Sequence, residues 1–177
     1  YIEAKDKVYS KEEQARVRFL FNMETITGFN NIEDMANVIA DQKSPDGIVF
    51  GRVDFSSSLN LSRDAIAGNE LNQYLLKSSE ICKNLGVDFV IGGGVAAESM
   101  GPVMSIQNNY LSRFETRKVI FDAGILQDRN IDINEALEKA IEFELNWLKY
   151  KKNHYSRISI EDDGRIKMLE KRFNKVS

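Results

Sequence analysis

The chain has 177 residues, 42% hydrophobic and 29% charged, which is the composition of an ordinary folded protein with enough length for one sizeable core. Its 24 Lys and Arg against 27 Asp and Glu give a net charge of −3, and no long run of one sign occurs, so neither nucleic acid nor an anionic membrane is an expected partner. The single Cys82 and single His154 exclude an internal disulfide and any cysteine- or histidine-built metal site. A metal here would be held by oxygen, which selects a hard divalent cation such as Mg2+ or Mn2+. No apolar run approaches the roughly 20 residues of a membrane span and no signal-peptide pattern opens the chain, so a cytoplasmic location is expected.

Residues 1–9 read as the end of a helix, and Ser10 with Glu13 forms a capping box for another turn. Residues 17–23, apolar except for Arg18 and Asn22, read as a strand that ends in Glu24. A helix follows from Asn30 or Asn31, with Ile32, Met35 and Ile39 at helical spacing, and stops before Ser44-Pro45. Pro45-Asp46-Gly47 is a turn signal. Beyond it, Ile48-Val49-Phe50 reads as a strand buried on both faces, followed by Gly51, Arg52, Asp54 and a cluster of serines.

A loop over 60–69 leads to a helix over 70–85, in which Cys82 reads as a small buried hydrophobe. Residues 87–91 form a third strand. Gly92-Gly93-Gly94 then either cradles an anion with free N–H groups or makes a tight turn into a helix over 96–106. A fourth strand lies within 110–121 and ends near Glu115, or runs on to Asp122. Asp132 and Glu135 open a long amphipathic helix that carries Leu137, Ala140, Ile141, Trp147 and Leu148, with a basic run at 149–152. A polar turn at 161–164 precedes a last helix over 165–174, an arm suited to packing on another subunit.

Alternating strands and helices predict a parallel sheet. Four such units are half of an eight-stranded barrel, and the pattern is entered midway at Tyr1, so the chain is expected to be the C-terminal half of a (β/α)8 barrel. Residues 1–126 would be the partial barrel and 127–177 a helical extension that serves as an oligomer contact.

Glu24 and Asp54 each follow an apolar strand, and neighbouring strands lie about 4.8 Å apart. Their carboxylates can share one cation. Such a cation would act as a Lewis acid on the carboxylate and keto oxygens of a 2-oxo acid and stabilise its enolate. Asn22, Thr25, Thr27, Gly51, Arg52 and Ser56 are close enough in sequence to line that pocket. Two unrelated helix or turn caps are the competing reading.

Met23-Glu24-Thr25-Ile26, the helix beginning Asn31-Ile32-Glu33-Asp34-Met35, and Asp46-Gly47-Ile48-Val49-Phe50-Gly51-Arg52-Val53-Asp54-Phe55-Ser56 together resemble the HpcH/HpaI aldolase and citrate lyase β-subunit family. The match is specific over residues 16–60, and Asp88-Phe89-Val90-Ile91-Gly92 is compatible with a later strand of the same barrel. Arg52 stands where the family has proline and Phe55 where it has leucine. The resemblance implies a phosphoenolpyruvate/pyruvate-type barrel in which Glu24 and Asp54 bind the divalent metal, and carbon–carbon bonds are cleaved or formed through an enolate.

The expected function is therefore a metal-dependent class II aldolase-like lyase acting on a 2-oxo acid such as pyruvate, with an aldehyde as second partner. In that reading Arg52 is the catalytic side chain, Gly51, Arg52, Ser56 and Thr25 contact substrate, and the protein is a homo-oligomer. A citrate lyase β-subunit-like acyl-CoA lyase and a non-catalytic barrel remnant are the alternatives.

Overall fold

A computed structural model describes residues 1–174. Its sheet is built around β2 (Gly47–Gly51) and β3 (Asp88–Gly92), the two most apolar segments of the chain. β1 (Leu20–Met23) and β4 (Arg113–Glu115) flank them, and a short β5 (Ile120–Asp122) completes the order β1-β2-β3-β4-β5. The first four strands are parallel, and β5 pairs antiparallel with β4. The helices are α1 (Ile2–Val8), α2 (Lys11–Gln14), α3 (Ile26–Asn30), α4 (Ile32–Gln42), α5 (Arg52–Ser58), α6 (Asn72–Leu85), α7 (Met100–Gln107) and α8 (Ile133–Phe173). This mixed α/β arrangement is consistent with part of a TIM-barrel-like fold; among the described residues the sheet is open, with β1 and β5 at its edges.

Strand alternation makes the two faces of the sheet chemically different. Met23, Ile48, Phe50, Phe89, Ile91 and Phe114 share one face and are all at most 1% exposed. Leu75 and Cys82 of α6 pack into this layer, and Phe55 joins it through Phe50, with ring centroids 4.6 Å apart. Burying each such side chain is worth about 2 kcal/mol, so this face holds the first unit together. The other face carries Asn22, Val49, Gly51, Val90, Gly92 and Arg113 and is small or polar. The site lies there.

Several boundaries depart from the sequence reading, each for a local reason. The residues after Gly51, to which the sequence reading gives no element, form α5 at once, because Gly51 caps it and Phe55 and Ser56 gain burial on its inner side. The fourth strand is two strands. Residues 116–119 form a turn in which the Thr116 hydroxyl accepts from the Val119 N–H, and Phe121 stacks on Phe114 at 5.1 Å, so the chain doubles back as a hairpin. The expected polar turn at 161–164 is absent, since α8 runs unbroken through Gly164.

The chain divides into two compact units, Tyr1–Ala140 and Ile141–Ser177. α8 begins in the first, where Leu137 and Ala140 are buried, and its remaining turns make up the described part of the second. Asp132 starts this helix by accepting hydrogen bonds from the backbone N–H groups of Asn134 and Glu135.

Candidate active site

The pairing registers place four residues in one row at the carboxyl ends of the parallel strands. Met23 pairs with Phe50, Gly51 with Gly92, and Ile91 with Phe114, so one step on the row reads Glu24, Gly51, Gly92, Glu115. Its two central members have no side chain, and both acids lean into the space this leaves. A Cβ on Gly51 would lie 2.7 Å from Glu24 Cγ and 2.9 Å from its Oε1; one on Gly92 would lie 3.0 Å from Glu115 Oε1.

Alternation in β1 explains how Glu24 arrives there. Phe21 and Met23 face the core, while Asn22 and Glu24 face the site, and the Asn22 amide donates to Glu24 Oε1 at 3.0 Å. Glu24 is half-buried. Asp54 is exposed and sits in the first turn of α5, the helix that Gly51 caps. No group of three or more His, Cys, Asp or Glu side chains suited to a metal occurs among the described residues. Glu24 follows the carboxyl end of β1 and Asp54 lies in the first turn of α5, so the two expected metal ligands sit on elements that meet at neighbouring strand ends.

The remaining expected site residues have other work. Thr25 caps α3, its hydroxyl accepting from the Gly28 N–H at 3.0 Å. The Ser56 hydroxyl is buried and donates to the Val53 carbonyl. Ser58 links the two acids' elements, since its hydroxyl accepts from the Ile26 N–H and donates to the Phe55 carbonyl.

The expectation that Arg52 meets substrate is corrected. Its side chain is fully buried, and its guanidinium donates to the carbonyls of Gly92, Gly93, Ile66 and Ser99 and to the Ser99 hydroxyl. Burial lowers its pKa to about 10, so it remains a cation at neutral pH. Arg52 is a clamp that ties the end of β3 and two connections, α5 to α6 and β3 to α7, together behind the row. Gly93 and Gly94 supply the tight turn this clamp requires, with φ of 81° and 64°. A Cβ on Gly93 would meet the Val53 backbone nitrogen at 2.9 Å, so the glycine run is occupied by the start of α5.

Glu115 is the member of the row that sequence reasoning did not assign to the site. Burial raises its carboxyl pKa above the ordinary range, and Arg113 opposes this only in part. Arg113 is itself engaged with Asp88 at 2.7 Å. The available signal was the separation of Glu115 from Phe114, which places it on the opposite face from a core residue, but using that signal requires knowing that the strand ends there.

The sheet, parallel over its first four strands, with helices between them defines the class as a mixed α/β protein consistent with part of a TIM-barrel-like fold. No protein-family model matches the chain, and no curated protein matches it in sequence. Among solved structures, an HpcH/HpaI aldolase from Desulfitobacterium hafniense DCB-2 is similar over 66% of this chain and 41% of its own, with 19% identity and a TM-score of 0.44. The chain therefore spans less than half the length of that aldolase.

Proposed function

We propose that Glu24 and Asp54 hold a divalent cation, Mg2+ or Mn2+, and that the protein acts as a carbon–carbon lyase of the aldolase type on a 2-oxo acid such as pyruvate, with an aldehyde as second partner. The observation that carries this reading is the Glu24 side chain lying in the space over Gly51, the cap of the helix whose first turn bears Asp54. A structural cap has no need of a glycine gap filled by a neighbouring strand's acid. Bound there, the cation supplies Lewis acidity that favours the enolate of the 2-oxo acid.

The chain's own groups do the rest. Asn22 fixes the Glu24 carboxylate through one oxygen. Arg52 holds the loop after β3 in place, which keeps Gly92 in register with Gly51. Glu115, facing the pair across the two glycines, holds a proton on its carboxyl to higher pH than an ordinary glutamate and is positioned to donate it at the open side of the row.

Calorimetric titration of the intact chain with Mn2+ tests the reading. Binding is expected, and Glu24→Ala or Asp54→Ala should abolish it. A wild-type chain that takes up no Mn2+ is a scaffold, and the lyase proposal then fails. Exchange of the pyruvate methyl protons in D2O, followed by NMR, tests the enolate step in the full-length protein.

A further inference from the structure

The second unit presents an apolar stripe. Along α8, Ile141, Leu148, Tyr155, Asp162 and Leu169 recur at heptad spacing. Leu145, Lys152, Ser159, Ile166 and Phe173 recur at the same spacing four residues further on, so the two sets form one seam. Its apolar members are between 46% and 78% exposed. In proteins most helical stability comes from packing an apolar face rather than from propensity, and this helix also carries Gly164 in its interior. Gly164 falls on the side away from the seam, where a missing side chain costs no packing.

We propose that this seam pairs with the same seam of a second copy of the chain as an antiparallel two-stranded coiled coil. The order of residues decides the orientation. Apolar positions lie at both ends of the seam and a basic and an acidic position lie towards its middle. In an antiparallel pair with its two-fold axis level with Arg157, Ile141 meets the partner's Phe173, Leu145 meets the partner's Leu169, and Leu148 meets the partner's Ile166. Towards the centre, Lys152 meets the partner's Asp162, and Tyr155 meets the partner's Ser159. At both ends every apolar position finds an apolar one, near the axis Tyr155 packs over the small Ser159, and the two charged core positions meet with opposite sign.

A parallel pair would instead put Lys152 against the partner's Lys152 and Asp162 against the partner's Asp162, which like-charge repulsion in a desolvated seam disfavours. The flanking positions do not choose. Glu144 opposite the partner's Arg172 and Lys149 opposite the partner's Asp163 attract, while Glu142 opposite the partner's Glu170 and Lys151 opposite the partner's Arg165 repel. Orientation therefore rests on the Lys152 and Asp162 layer. The seam is about 50 Å long at 1.5 Å per residue, a length over which two-stranded coiled coils are stable.

Sedimentation velocity on the intact chain tests this, with circular dichroism to check that each variant keeps its helix. The wild type should be a dimer. Asp162→Lys and Lys152→Asp should each weaken dimerisation at least tenfold, and the two together should restore it, because the swap rebuilds the same pair with its signs exchanged. Under mild oxidation Ser156→Cys, beside the two-fold axis, should form a disulfide-linked dimer, and Asn146→Cys, far from its own copy, should not. A monomeric wild type overturns the proposal. So does a dimer indifferent to both charge reversals, which would assign the contact to another face, such as that of Phe143 and Tyr150, or a double variant that fails to recover.

Discussion

Gly51→Ala separates the site from the fold. The added methyl would lie 2.7 Å from Glu24 Cγ, 2.9 Å from Oε1 and 3.2 Å from Cδ, where carbon atoms in contact sit about 3.5–4.0 Å apart. Glu24 must give way by about 1 Å. It is a side chain at a strand end, so it can turn aside at the cost of a poorer rotamer and the Asn22 hydrogen bond, together about 1–2 kcal/mol. For a chain of this size, that lowers the Tm by about 3–6 °C. Displacing one of two carboxylates should lower Mn2+ affinity at least about tenfold, a loss of about 1.4 kcal/mol in binding. Gly47→Ala is the control. Its Cβ would meet the Asp88 backbone carbonyl at 2.5 Å, so β2 and β3 must separate, at about 3 kcal/mol of stability, while the metal site is untouched. Calorimetry with Mn2+ and thermal denaturation on both variants give the answer. If Gly51→Ala binds Mn2+ like the wild type while Glu24→Gln does not, the space over Gly51 is not where the carboxylate works.

Four further outcomes follow from the same geometry. Arg52→Met leaves four loop carbonyls without their donor and should cost about 3 kcal/mol or more in urea denaturation; a loss under about 1 kcal/mol would contradict the clamp. Glu115→Gln should leave the Tm unchanged or raise it near neutral pH, because the raised pKa means that ionisation of the buried acid works against folding; a clear drop would make Glu115 a structural residue. Cys82, fully buried with its thiol pushed up to about 12, should resist iodoacetamide in the native protein and react on unfolding. Its folded pKa lies above the unfolded value of 9.0, so its contribution to stability is complete below that value and is lost as pH rises towards about 12, a decline that Cys82→Ala should lack.

The strands were legible where burial is continuous and obscure where it alternates. Ile48-Val49-Phe50 and Phe89-Val90-Ile91 announce themselves as buried runs, and the structure extends them only by their flanking residues. The fourth strand was placed within 110–121, with an end near Glu115 where β4 stops, but β5 and the hairpin were not legible, because Ile120 and Asp122 are exposed positions in a strand only three residues long and what joins it to β4 is the ring stacking of Phe114 on Phe121. The same limit applied to the site. Position after a strand pointed to Glu24 and Asp54, but only the register shows Glu24 over Gly51 and Glu115 over Gly92. Register is a relation between segments, so no single segment carries it.

Arg52 shows the opposite failure. An arginine after a strand-end glycine invites a substrate role, and nothing local distinguishes it from one that binds backbone. The decisive partners, at Ile66, Gly92, Gly93 and Ser99, come from the end of β3 and from two separate connections. The continuation of α8 through Asp162-Asp163-Gly164 has the same logic, since local propensity argues for a break there. In proteins the usual source of stability for a helix that runs through such a signal is the packing of its apolar face, which its own sequence window does not contain. The antiparallel pair proposed above gives that role to a second copy of the chain.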